Sequence, residues 1–173
     1  MSGNQVGAAP NYQLAQSKAE SLLSELGYTS PPISPVVIAN HLGLTIVEAE
    51  MPENLKTIAG FLDMESKTIV INQADPTTRQ AFTIAHEIGH YVMHKDFIEE
   101  NPKEYKILYR DPLLNVKVPI EQEANCFAAN LLVPMDILKQ YEKFPDSALS
   151  VLFQVSQEVI AFRKRSQLWR QER

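Results

Sequence analysis

Cysteine is almost missing from this chain. Cys126 stands alone among 173 residues, so no intramolecular disulfide can form, and a reducing compartment is the natural setting. Long apolar runs are missing too. Residues 1–10 do not resemble an apolar secretion leader, and no stretch offers the roughly 20 apolar residues that a membrane span needs. Surplus positive charge is also lacking. A formal net charge of −5 gives no general attraction to nucleic acid or to an anionic membrane. There is no internal repeat and no low-complexity tract. A cytoplasmic protein with no membrane partner is the expectation.

What is present is an ordinary globular composition, 45% hydrophobic and 21% charged. The length suits one domain with a genuine core. Residues 1–11 read as a flexible tail, and 12–173 as a single domain with a helical C-terminal segment.

The chain is organised around Thr83-Ile-Ala-His86-Glu87-Ile-Gly-His90-Tyr91. Residues four apart on an α-helix lie one above the other, so His86 and His90 can aim imidazoles at a single ion. Glu87 sits one step round the helix, near enough to handle a water there. Two neutral nitrogens, a carboxylate base and an open coordination position are what helical metal-dependent hydrolases need. Phe82, Ala85, Ile88, Gly89 and Val92 surround the pair with apolar or small residues, so this helix is expected to be buried. Buried histidines need partners, and a metal satisfies both.

The flanking chain reads as α+β. Leu14, Lys18, Leu22, Leu23 and Leu26 fall at helical spacing, with Gly27 as a stop. Ser34-Pro35 suits an N-cap and first residue of a short helix ending at Gly43. Residues 44–50 favour a strand. Residues 57–63 and 67–72 read as a hairpin joined through Met64–Ser66. A small antiparallel sheet of about three strands is expected, with 67–72 as the edge beside the cleft. Asp75 is expected to cap the histidine helix, with Pro76 as its first residue. Residues 95–118 lack periodicity and read as a loop with a short helix. Pro119 begins a second strong helix to Leu132, and helices follow at 135–143, 146–153 and 156–169.

A catalytic zinc site requires a third protein ligand. His94 lies eight residues beyond His86, about 12 Å along a straight helix, too far to share an ion with it. Nothing ties His41 to the site. Glu121 and Glu123 both lie on the second strong helix. Helix geometry favours Glu121, which shares a face with Ala124, Asn125 and Ala128; the small residues permit close packing. Glu123 faces elsewhere, with Phe127 and Asn130. Asn125 can then bond the second nitrogen of a ligand histidine.

The segments Phe82-Thr-Ile-Ala-His-Glu-Ile-Gly-His90 and Glu121-x-x-Ala-Asn-x-Phe-Ala-Ala-x-Leu-Leu-x-Pro134 resemble the ImmA/IrrE-type metallo-endopeptidases. Ala59-Gly60-Phe61 and Ile69-Val-Ile-Asn72 fit the same pattern. The resemblance spans residues 36–162. It implies a minimal zincin-like fold, zinc held by His86, His90 and Glu121, and Glu87 as general base. It also implies an antirepressor role, because relatives cleave or inactivate helix-turn-helix repressors. Val133 stands where the family often has Met. A two-histidine, one-carboxylate set also suits manganese or another divalent ion. Tyr91, His94, Tyr109 and Arg110 are open candidates for the partner of the oxyanion.

Three other readings compete. Cys126 as a nucleophile has no supporting motif, and a buried structural thiol accounts for it better. A non-proteolytic antirepressor or toxin-type protein would keep the metal for structure alone. Residues 149–165 have a helix-turn-helix character, and residues 163–173 hold Arg163, Lys164, Arg165, Arg170 and Arg173 against Glu172. The acidic whole argues against DNA binding, and a packed or partner-binding C-terminal helix is expected instead.

Overall fold

The computed structural model describes residues 9–103, 105 and 118–171, with side chains to 166. The first helix, α1 (Tyr12–Glu25), starts where the Asn11 side chain accepts the Leu14 amide. It stops at Gly27, whose φ of 70° is the left-handed geometry that glycine adopts without cost. The second, α2 (Pro35–His41), is capped by the Ser34 hydroxyl bonding the Val37 amide. Three strands follow: β1 (Thr45–Ala49), β2 (Gly60–Asp63) and β3 (Thr68–Asn72). Next come α3 (Thr77–Met93), α4 (Lys95–Glu100) and α5 (Pro119–Leu132). A single turn α6 (Met135–Leu138), then α7 (Asp146–Phe153) and α8 (Gln157–Gln171), complete the described chain. The fold is α+β with a helical C-terminal part.

The sheet differs from expectation in two ways. Its order is β1-β3-β2, and β1 pairs with β3 in parallel, so the sheet is mixed. Only β2 and β3 are antiparallel, with Gly60 opposite Ile71 and Asp63 opposite Thr68. The expected edge strand, β3, is therefore the centre, and β2 is an edge. The physical reason is connection length. The short turn after Asp63 fixes β2 against β3. The longer link from β1, which includes a 3₁₀ turn at Glu53–Leu55, lets β1 cross to the far side of β3. Burial agrees, since Ile69 and Ile71 are almost fully buried whereas Val47 on β1 is exposed.

The N-terminus of α3 also differs. Pro76, not Asp75, is the N-cap, and no side chain caps this end. Asp75 lies outside the helix and pairs with Arg79 at 3.2 Å. Pro76 is extended, with ψ of 150°, and its missing N–H falls where helices leave amides unpaired in any case.

The core lies between α3, α5, α1 and the sheet, filled by Ile84, Ile88, Phe127, Leu131, Leu23 and Ile69. Gly89 lets α3 and α5 approach closely. A Cβ at this position would stand 3.0 Å from the Phe127 ring and 3.3 Å from the Ala124 Cα. Glycine within a helix costs about 1 kcal/mol relative to alanine; here it permits the contact that brings α5 to the histidines. At the other end, buried Arg163 on α8 donates to the Val133 carbonyl just past α5. Lys164 reaches Asp146 at the start of α7. Two members of the basic C-terminal cluster thus hold the helices together. Among the described residues, no helix is long and apolar enough to cross a membrane.

Candidate active site

α3 places His86, Glu87 and His90 on its turn facing α5, and α5 returns Glu121. The His86 Nε2 stands 3.0 Å from the His90 Nε2 and 3.0 Å from the Glu121 Oε2. The His90 Nε2 lies 3.2 Å from the Glu121 Oε1. With zinc bonds of about 2.0–2.1 Å, two tetrahedral ligands stand about 3.3–3.4 Å apart. The three donors therefore already form a tripod of the size that such an ion needs, and a small shift would admit one. Among the described residues, His86, His90 and Glu121 are the one group of three that could hold a metal.

Burial makes this cluster costly unless its charges are answered. Glu121 and His90 are each only 1% exposed. Burial alone would push the Glu121 carboxyl up, but the charge of His90 and the hydrogen bonds of His86 and His90 hold it far below the usual carboxylate range. Burial likewise disfavours a charged His86, yet the Glu121 carboxylate outweighs it and raises His86 to about 9. Without metal, a proton on His86 does part of the work of an ion.

The second nitrogens are also engaged. His86 Nδ1 donates to the Asn125 Oδ1 at 2.9 Å, the contact expected from the sequence. His90 Nδ1 lies 3.0 Å from His94 Nδ1, and His94 Nε2 lies 2.7 Å from the Glu123 Oε2. His94 is buried. Burial and the neighbouring His90 lower it to about 4 against the pull of Glu123, so it is neutral near pH 7. Glu123 does face away from the tripod, and His94 is what it faces. The Glu123 Oε1 also accepts the Asn11 amide at 2.6 Å.

The tripod opens onto a cleft of about 300 Å³, lined by 57–60 on the approach to β2, by Phe82, Thr83, His86, Glu87 and His90 from α3, and by Tyr105 and Asn125. Gly60 lies against α3, where a Cβ would meet the Val70 carbonyl at 2.5 Å and the Thr83 methyl at 2.7 Å. Sequence reasoning missed Tyr105. Its hydroxyl donates to the Glu87 Oε2 at 2.9 Å, and its ring packs edge-on to His90. The Leu62 backbone bonds the same hydroxyl. Burial, then the charges of Glu87 and Glu121, raise the phenol well above its ordinary range, so it remains a donor. Its only sequence signal was a tyrosine inside a segment without periodicity.

Of the candidates for stabilising an oxyanion, Tyr91 and His94 do not line the cleft. Tyr109 and Arg110 lie outside the described residues. Cys126 packs between helices, its sulfur 3.8 Å from the Tyr12 carbonyl and 3.4 Å from the Asn130 amide nitrogen.

Comparison with known proteins places this geometry in a family. The chain is 30% identical over 112 residues to immunity region protein 2 of Bacillus phage phi105, covering 63% of this chain and 64% of that protein. A solved structure of a Mycobacterium tuberculosis transcriptional regulator superposes with a TM-score of 0.62 at 20% identity, over 87% of this chain and 46% of the other. The chain thus spans less than two thirds of the length of either. Residues 39–165 match the IrrE N-terminal-like domain, Peptidase_M78, and with that match over most of its length the chain belongs to the ImmA/IrrE family.

Proposed function

We propose that this chain is a metal-dependent endopeptidase that cleaves, and so inactivates, a regulatory protein, with a helix-turn-helix repressor as its substrate. The observation that carries the reading is Glu87 beside the His86/His90/Glu121 tripod in one cleft. His86, His90 and Glu121 would hold the ion, zinc being the first choice for this donor set. When bound, the ion supplies Lewis acidity, which polarises the scissile carbonyl and makes water a stronger acid.

The remaining work falls to the chain. Glu87, 4% exposed, takes the proton from the attacking water and returns it to the departing amine. Tyr105 holds the Glu87 carboxylate through its hydroxyl. Asn125 fixes the His86 ring. Residues 57–60 line the cleft and lead into the edge strand β2, whose first residue is Gly60, and an edge strand can accept an extended peptide as a further strand. The substrate should therefore be locally extended at the cut. The regulatory assignment draws support from the family and from the phage relative, which is named for an immunity region.

The test is incubation with a purified helix-turn-helix repressor, with cleavage followed by intact mass. The zinc-loaded Glu87→Gln protein should keep its metal and cleave about 10²–10⁴-fold more slowly. Equal cleavage by the folded, loaded variant would exclude Glu87 as the base.

A further inference from the structure

The side chains next to the tripod form a directed chain of hydrogen bonds. Glu123 is a carboxylate, and a carboxylate only accepts. The hydrogen of the 2.7 Å contact therefore sits on His94 Nε2. At the other end of that ring, His94 Nδ1 and His90 Nδ1 are 3.0 Å apart, and one of them must carry hydrogen and the other a lone pair. His90 can join a metal through Nε2 only if that nitrogen is bare. Its hydrogen then lies on Nδ1, and the bare His94 Nδ1 accepts it. Every position along Glu123, His94 and His90 is thus set by one fixed acceptor.

We propose that His94 and Glu123 are positioning residues that lock the tautomer and ring orientation of His90, so that its Nε2 lone pair points at His86 and Glu121. This rests on the metal-centre reading above. Two features show that the chain is built rather than incidental. His94 is buried and sits at the end of α3, where the helix gives way to α4. The far oxygen of Glu123 is held in turn by the backbone amide of Asn11, at the start of α1. A swing of the acceptor would therefore break that second bond as well. His86 is served differently, by the neutral Asn125. The two ligand histidines thus have partners of different strength, and His90 has the charged one.

The experiment measures zinc affinity by competition with a chromophoric chelator for the full chain and for His94→Ala, Glu123→Ala and the double variant. Outer partners of metal-bound histidines are commonly worth about 10–100-fold in affinity. Each single variant should weaken zinc binding by that amount. The double variant should be no weaker than the worse single one, because both act through one chain. Glu123→Gln, which keeps an accepting oxygen, should recover most of the affinity. Nitrogen-detected NMR of the folded protein adds a readout that does not depend on metal: His94 should carry its hydrogen on Nε2. Zinc affinity unchanged within about twofold in both single variants would overturn the proposal, as would a His94 hydrogen on Nδ1. If an alanine variant does not fold, the His94 tautomer still decides, since hydrogen on Nε2 supports the chain and hydrogen on Nδ1 overturns it. A parent chain that binds no divalent ion would overturn the metal-centre reading and this inference together. A parent that binds zinc alongside unaffected variants overturns this inference alone.

Discussion

Removing metal should leave a protein whose stability falls as the solution becomes alkaline, because a proton on His86 stands in for the ion. His86 titrates at about 9 in the folded chain, against 6.5 for an unhindered imidazole. A group whose pKa is raised by folding contributes stability that is fully present below 6.5 and lost as pH rises through 9. From 6.5 to about 9, at about 1.36 kcal/mol per pH unit, the loss is roughly 3 kcal/mol. That is a large part of the 5–15 kcal/mol typical of a domain. His94 acts on the other side. Lowered to about 4, it contributes stability that is present above 6.5 and lost as pH falls through 4. Stability of the stripped protein should therefore peak near pH 6.5. Urea unfolding of chelator-treated protein at pH 6.5, 7.5, 8.5 and 9.5 measures it, with zinc-loaded protein and metal-free His86→Asn as controls. Both controls should be much flatter. Titrating zinc into stripped protein at pH 7.5 should release about one proton per ion, seen as a buffer-dependent binding enthalpy. A stripped protein whose stability is level or rising between pH 6.5 and 9 would refute the reasoning.

Other outcomes follow from single contacts. Glu121→Ala should abolish tight zinc binding by elemental analysis, while Glu123→Ala should still bind zinc at high concentration; the reverse order would make Glu123 the ligand. Tyr105→Phe removes the donor to Glu87, so turnover should fall about 3–10-fold, the worth of one such bond. Its zinc content should not change; lost zinc would assign Tyr105 a different part. Gly89→Ala should destabilise the fold by about 1–3 kcal/mol in thermal or urea unfolding, since its Cβ would press on Phe127. A Gly89→Ala protein more stable than its parent would show that helix propensity outweighs the contact.

The part of the site carried by one helix was legible in the sequence. His86, Glu87 and His90 follow from a period of 3.6 residues, and Glu121 with Asn125 from the same period on α5. What depends on two elements meeting was not. Nothing local distinguishes Glu123 from a solvated acid; its role appears only when α5 lies beside His94. Tyr105 fell in a stretch without periodicity, where no face can be assigned. The hairpin of β2 and β3 was readable because its turn is short. Which side of β3 the strand β1 joins depends on where its longer link crosses, which no local pattern marks, so the sequence points to β3 as the edge where the structure has β2. The Asp75 side chain suits a cap, but Pro76 occupies that position and Asp75 pairs with Arg79 instead. A packed or partner-binding C-terminal helix is what the sequence suggests, but nothing local marks Arg163 as the basic residue that is buried against the Val133 carbonyl.

The close approach at Gly89 makes the site adjustable along a single coordinate. His86, Glu87 and His90 share one rigid helix, so their mutual spacing is fixed by the backbone and scarcely responds to events elsewhere. Glu121 arrives from α5, as do Asn125 and Glu123 behind the histidines, and the seat of α5 on α3 is set by the glycine, Ala124 and the Phe127 ring. A partner that levered α5 outward would carry off one leg of the tripod, together with the groups that orient both histidine rings, and leave the backbone of α3 in place. A partner that pressed α5 inward would tighten it. Control over such a protein can be mechanical, through the gap between two helices, with no contact to the cleft.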